Sequence, residues 1–246
     1  MSEQVRAPKK NAPPIQLTAD NSPRTRLARR FMRLLGTLLI WRTTVKVTHH
    51  GTENVPRHGP TILLFNHLSQ VDPPLVGGMI TFRDVTPIGK EELLHNPLTA
   101  WMMHFWQAIP VKRGELDMQA LRRALYVLEH TNDMLLIAPE GHRYKALSEP
   151  KEGFILLAAK TNAQMVAAGI SGTQNFRRNL LRLRRTHVTI NYSRPIRLKR
   201  KLTRQEYRAA ADEVMYYLAA HIADPALRGL YSDLSKATTN YIEVVG

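Results

Sequence analysis

The sequence predicts a single α/β domain with a mostly parallel sheet flanked by helices. Two observations carry this expectation. Between residues 43 and 223, short runs rich in strand-forming residues alternate with longer stretches of helical periodicity, the pattern of βαβ units. Several of those apolar runs, Thr61 to Phe65 and Met134 to Ala138 among them, end in clusters of polar residues, and sheets of this kind hold ligands off the carboxyl ends of their strands. With 246 residues, 43% of them hydrophobic, the chain can bury a sizeable core. It shows no internal repeat and no second domain.

Residues 1–23 read as a disordered basic tail, polar and broken by Pro8, Pro13, Pro14 and Pro23. Residues 24–42 read as an amphipathic helix. Leu27, Phe31, Leu34 and Leu38 fall on one face and Arg26, Arg29, Arg30 and Arg33 on the other, with Trp41 near the end. Such a helix suits a membrane interface, and it suits docking on its own domain equally well. Its apolar run, Leu34 to Trp41, is far shorter than the roughly 20 residues that span a bilayer, and no small-residue cleavage site marks a signal peptide.

Thr43 to Thr48 predicts a strand, Gly51 to Pro56 a turn, and Thr61 to Phe65 a buried strand introduced by Gly59-Pro60. Asp72 is a good N-cap, and Pro73 fits the first helical position, so a short helix follows over Pro74 to Ile80. Val85 to Gly89 predicts a short strand. Residues 91–106 predict a helix whose Trp101, Met102, Phe105 and Trp106 suit either core or an acyl-chain groove. A strand over 108–114, a helix over 116–130, a strand over 133–138, a helix over 151–162 and a strand over Met165 to Ile170 come next. The Arg-rich segment 174–185 interrupts before a strand over His187 to Tyr192. Thr203 and Glu206 form a capping box for a last helix, and residues 224–246 read as a C-terminal tail.

Three strand ends carry unusual polar groups: Asn66-His67 with Asp72, Lys112-Arg113-Gly114, and Glu140-Gly141-His142-Arg143. A carboxylate beside an imidazole fixes its tautomer and supports the charge that forms when the ring takes a proton. One such pair is a weak signal. If the three strands are neighbours, a base, several cations and glycine-freed N–H groups converge, and cations with free N–H groups bind phosphate. A base beside a bound phosphate suggests activation of a hydroxyl on a phosphorylated molecule.

The absence of cysteine excludes disulfides, thiolate metal sites and a Cys nucleophile. The ten His show no metal-binding spacing, so no metal is expected. The formal charge of +15 is uneven: residues 1–50 carry 10 Lys/Arg against 2 Asp/Glu, and residues 174–208 carry 12 against 1. A surface of this kind suits anionic lipid, nucleic acid or an acidic carrier protein. No helix-turn-helix, zinc or ribonucleoprotein motif is present, so nucleic acid is not expected.

Asn66-His67-x-x-x-x-Asp72 resembles the first motif of the glycerolipid acyltransferases, the 1-acylglycerol-3-phosphate acyltransferase family. Ile109-Pro-Val-Lys-Arg113 resembles their second motif and Pro139-Glu-Gly-His-Arg143 their third, usually Phe-Pro-Glu-Gly-Thr-Arg. Gly51-Thr-Glu-Asn-Val-Pro56 and Lys151-Glu-Gly153 also match, so the likeness covers roughly residues 45–175. It implies transfer of a fatty acyl chain from an acyl thioester to the free hydroxyl of a lysophospholipid, foremost 1-acyl-glycerol-3-phosphate, without an acyl-enzyme intermediate. His67 would be the general base and Asp72 its orienting carboxylate. Lys112, Arg113, Glu140, Gly141 and Arg143 would form the phosphate site, with Glu140 holding an Arg or the backbone rather than touching phosphate. Asn66 and His142 would support. The co-substrate would be acyl-CoA or acyl carrier protein, with no further cofactor.

Three departures bear on the acceptor. His142 replaces the usual Thr, Ala138 the usual Phe, and the fourth motif, normally Val-Pro-Val-like, is Val166-Ala-Ala-Gly-Ile170 without its Pro. A different lipid acceptor, a transacylase moving chains between phospholipids, and a catalytically weak membrane-bound scaffold are the alternatives. The basic helix and the 177–185 Arg cluster suit the cytoplasmic face of a membrane, peripheral or monotopic, at about 1 kcal/mol per well-placed cation. Nothing in the sequence specifies an oligomeric state.

Overall fold

A computed structural model describes residues 31, 42–112 and 117–245. The predicted basic tail and amphipathic helix therefore lie outside the described residues, apart from Phe31 and Arg42, and so does Arg113.

The described strands are β1 (Val45–His50), β2 (Thr61–Phe65), β3 (Val85–Lys90), β4 (Ile109–Val111), β5 (Met134–Ile137), β6 (Gln164–Ser171), β7 (Thr186–Tyr192), β8 (Ile196–Leu198) and β9 (Ile242–Val244). They form one sheet in the order β1-β7-β6-β2-β5-β3-β4, with β8 and β9 attached beside β6. Five neighbours, β6 through β4, are parallel. β7 runs antiparallel to β6, and β1 lies parallel to β7, so these two strands point the other way.

β2 is central because it is apolar on both faces. Ile62 and Leu64 point into one layer with Leu135, Ile137 and Met165, against helices α3 (Met118–His130), α4 (Gly153–Thr161) and α6 (Tyr207–His221). Leu63 and Phe65 point into the other with Leu136, Val166 and Ile190, against α1 (Asp72–Met79). All five β2 residues are 0–3% exposed. Burying one such Leu contributes about 1.5–3 kcal/mol relative to leaving it in water, so β2 is a firm platform for the loop that follows it.

Several expectations are revised. The 91–106 stretch divides into a 3₁₀ turn (Glu91–His95) and α2 (Pro97–Phe105), because the Asn96 carboxamide accepts from the Leu98 and Thr99 amides and starts a new helix. Segment 174–185 contains a short helix, α5 (Phe176–Leu181). Residues 224–244, read as a tail, pack on the domain: β9 pairs with β8, and the buried Glu213 carboxylate accepts from the Thr238 hydroxyl and the Asn240, Tyr241 and Ile242 amides. Gly169, in the altered fourth motif, has a packing reason. A Cβ there would lie 2.3 Å from the His221 carbonyl oxygen, so the end of α6 approaches β6 closely only because the position is Gly.

Candidate active site

The loop after β2 is fixed at its first residue. β2 pairs with β6 as far as Phe65–Ala168, and beyond that point β6 turns its ladder to β7. The buried Asn66 carboxamide fills the gap: its Nδ2 donates to the Ile170 carbonyl at 2.9 Å, and its Oδ1 accepts from the Ile170 amide at 2.7 Å. Asn66 thus continues the sheet as a side-chain peptide and aims the next residue.

His67 follows, its ring edge-on to Phe65. Its Nδ1 lies 3.0 Å from Asp72 Oδ2, and the same oxygen accepts from the Leu68 and Ser69 amides, each at 2.6 Å. Asp72 is the first residue of α1 rather than its N-cap; Val71 holds that position, its carbonyl accepting from the Leu75 amide. The sequence explains why the carboxylate turns back. Pro73 and Pro74 have no N–H, and the Leu75 amide is already taken, so α1 offers Asp72 no donor of its own. The carboxylate closes the His67–Ser69 loop instead.

This geometry sets the tautomer. An oxygen held by two amide donors is an acceptor, so the shared hydrogen sits on His67 Nδ1 and Nε2 keeps its lone pair. The His67 side chain is 18% exposed and that of Asp72 is 0%. The acid is sealed, and the ring is open to a reactant.

The loop after β5, the strand next to β2, closes over this one. The Tyr144 amide donates to the His67 carbonyl at 3.1 Å. Buried Glu140 takes the His67 amide on Oε2 at 3.4 Å and the Ser148 amide on Oε1 at 2.9 Å. Its side chain therefore holds backbone, joining the first and third motifs. Burial pushes its carboxyl up from 4.5 to about 7, the bonds from Ser148 and His67 oppose this, and nearby Asp72 adds to the rise.

Gly141 occupies the left-handed region at φ 70°, where a side chain is disfavoured. Its amide donates to the Ala138 carbonyl, so it is committed to the turn and is not a free donor for phosphate. His142 and Arg143 are exposed, and the His142 ring stands edge-on to Tyr144. Of the second strand end only Lys112 is described. Lys112 is exposed at the end of β4, the sheet's edge strand, three strands from β2, about 14 Å across at sheet spacing. Its amide donates to Asp117, the N-cap of α3. Arg113 lies outside the described residues.

Sequence reasoning did not find Ser148 or Tyr144, which join the two loops, or Arg83. Buried Arg83 spends all five guanidinium hydrogens on Pro56, Gly59, Asn132 and Asp133 carbonyls and the Thr61 hydroxyl. Burial lowers its pKa to about 10, against the pull of Asp133. It ties down the opposite end of the sheet. A basic residue in the Thr81-Phe-Arg-Asp turn reads in sequence as solvated, so no local signal identifies it.

Fold and loop together define an α/β domain that presents a carboxylate-oriented imidazole at the carboxyl end of its central strand. The chain belongs to the Acyltransferase family, whose profile matches residues 46–171, about half of the sequence. It is 29% identical over 179 residues to a 1-acyl-sn-glycerol-3-phosphate acyltransferase of Cocos nucifera, covering 71% of this chain and 57% of that one. It is 23% identical over 167 residues to a protein of the same name from Streptococcus pneumoniae, covering 68% and 61%. The chain thus spans about three fifths of the length of the curated relatives it matches. A crystal structure of the 1-acyl-sn-glycerophosphate acyltransferase PlsC from Thermotoga maritima superposes with a TM-score of 0.62 at 22% identity, over 80% of each chain. That likeness is one of fold.

Proposed function

We propose that this chain transfers a fatty acyl group from an acyl thioester to the free hydroxyl of a lysophospholipid, foremost 1-acyl-glycerol-3-phosphate. The observation that carries the reading is the His67–Asp72 pair, with Nδ1 tied to the buried acid and the ring partly exposed. His67 Nε2 takes the proton of the acceptor hydroxyl, and that oxygen attacks the thioester carbonyl. The C–S bond then breaks, and the thiolate leaves with the proton from the imidazolium. Asp72 stabilises the imidazolium in between. No residue need be acylated.

Lys112, Arg113 and Arg143 provide the cations for the acceptor phosphate, while Glu140 and Gly141 shape the loop from which Arg143 projects. The donor is acyl-CoA or acyl carrier protein, and no further cofactor takes part. The protein works on the cytoplasmic face of an anionic membrane as a peripheral or monotopic enzyme. Support for this comes from the +15 formal charge and the amphipathic 24–42 stretch. Among the described residues no helix is long and apolar enough to cross a membrane.

The test is release of free thiol from a long-chain acyl-CoA, with and without lysophosphatidic acid, repeated with acyl carrier protein as donor. Release that depends on the acceptor and falls by at least about 10² in His67→Ala is expected, the lower end of what a general base contributes. Acceptor-dependent release that survives the substitution would remove His67 from the mechanism. Silence with both donors would point to the transacylase or to the scaffold without turnover.

A further inference from the structure

Segment 172–185 joins β6 to β7 and contains α5. Its tip exposes three leucines: Leu180 is 45% exposed, Leu181 78% and Leu183 95%. Around them stand Arg177, Arg178, Arg182, Arg184 and Arg185, all exposed, and no acidic residue occurs in the sequence between Glu152 and Glu206. Scattered apolar residues on a surface are ordinary, whereas a cluster rimmed by charge of one sign marks an interaction site.

The backbone forces the most exposed leucine outward. α5 ends in a Schellman turn, with the Leu183 amide donating to the Leu180 carbonyl and the Arg184 amide to the Asn179 carbonyl. The residue at the turn's left-handed position is usually Gly; here it is Leu183, at φ 52°. A bulky residue in that region is disfavoured on its own, and its side chain meets water.

The segment is not loose. Asn179 Nδ2 donates to the Thr186 hydroxyl, Arg178 to Asn175 Oδ1, and Arg185 to the Val45 carbonyl, while Phe176 packs against the core. The fold also aims it. Phe65 is level with Ala168 and Ala168 with Tyr192, and β7 runs back from there to Thr186 toward the His67 end of the sheet. Those six residues correspond to a rise of about 20 Å. Val45 pairs with Thr186, so β1 begins beside this tip. Leu98 and Trp101 of α2, which follows β3 at the same end of the sheet, are also exposed, at 67% and 57%.

We propose that the 172–185 segment is a second membrane-docking element, in which Leu180, Leu181 and Leu183 enter the apolar layer of an anionic leaflet and the surrounding arginines engage its phosphates. Apolar side chains with a cationic rim are the composition that an anionic bilayer interface accepts. The inference rests on the membrane half of the proposed function and not on the reaction. It gives the site a second support besides residues 24–42, so that the His67 end faces the surface from which a lysophospholipid is drawn.

The test is flotation of the full chain with vesicles of equal parts phosphatidylcholine and phosphatidylglycerol, and with vesicles of phosphatidylcholine alone. Leu181→Ser with Leu183→Gly should lower partitioning onto the anionic vesicles about tenfold. Its Tm should stay level or rise, since Gly relieves the left-handed position. Arg182→Gln with Arg184→Gln should weaken binding to anionic vesicles and flatten its dependence on salt. Binding by the leucine variant within about twofold of wild type, well inside the loss expected from burial, would overturn the proposal by leaving residues 24–42 as the sole anchor. A changed oligomeric state with unchanged vesicle binding would also overturn it, assigning the patch to a second copy. Thiol release measured with short-chain, water-soluble substrates keeps the reaction separate: vesicle binding that depends on the leucines without turnover sustains the docking and removes the chemistry, and the reverse result removes the docking alone.

Discussion

The two ends of the parallel sheet each bury charge, and they treat it differently. At the amino end of β2, Arg83 places all five of its hydrogens on oxygen acceptors, four of them backbone carbonyls from two loops. At the carboxyl end, Asp72 crowds three donors onto Oδ2, while its buried Oδ1 has no hydrogen-bond partner among the described residues. A buried polar atom without a partner calls for an explanation, because such groups are uncommon and costly. A saturated charge fastens loops. A carboxylate whose bonds are concentrated on one oxygen holds a neighbouring ring in one orientation and keeps charge available for an imidazolium. Burial alone therefore does not separate structural from functional charge; the distribution of partners does.

The strongest way to break this contrast is Asp72→Asn. The amide oxygen still accepts from Leu68 and Ser69, so the loop should keep its shape and the Tm should change little. The same oxygen also accepts from His67 Nδ1, so the tautomer is kept, and what is lost is the negative charge that supports the imidazolium. A fall in kcat of about 10²–10⁴ is expected, the range of general-base contributions. An equally large loss of stability would make Asp72 one more structural charge. Arg83→Met should do the opposite. It removes five hydrogen bonds at once, and a buried acceptor that loses its donor costs about 1–3 kcal/mol. Urea unfolding should show that loss while the folded fraction turns over at the wild-type rate. A kcat effect with unchanged stability would erase the distinction between the two ends.

The sequence makes most of this frame legible, since its signals are local. Strand β2 is predicted over the residues it occupies, because Gly59-Pro60 and the polar loop bound an apolar run. The His67–Asp72 pairing can be read from the five-residue spacing and the Pro-Pro that follows. The parallel arrangement of β2, β5 and β6 follows from alternation with helices, whereas the reversal of β7 and β1 does not: Thr43 to Thr48 and His187 to Tyr192 look the same in either direction. Buried polar residues are the hardest to read, because their partners are distant. Asn66 answers to Ile170, 104 residues away, and Glu213 holds a segment 25 to 29 residues further on. The third motif marks Glu140 as special, but Ser148 carries no spacing signal, and Gly141 signals a turn without showing that its amide is consumed there.

The smallest effect concerns the carboxylate that bridges the two loops, and it sharpens the comparison by pH. Glu140 is an acid whose folded pKa, about 7, lies above its ordinary 4.5 because it is buried. The native state therefore binds a proton more tightly than the unfolded chain does, and between pH 4.5 and about 7 it carries more protons at this position. Stability then falls as pH rises through that window, by up to about 3 kcal/mol if no other group compensates. The direction is opposite to that of a salt-bridged carboxylate, whose stabilising effect appears as pH rises. Glu140→Gln removes the titration, although it also sets an NH₂ against one of the amides that Glu140 now accepts, so a constant loss at every pH is expected as well. The informative quantity is the slope. The unfolding free energy of wild type minus that of Glu140→Gln should decline from acid toward neutral pH and then level off above pH 7. Parallel curves across the window would mean that Glu140 titrates as an ordinary exposed acid, and that the link between the first and third motifs is looser than its bonds to the His67 and Ser148 amides require.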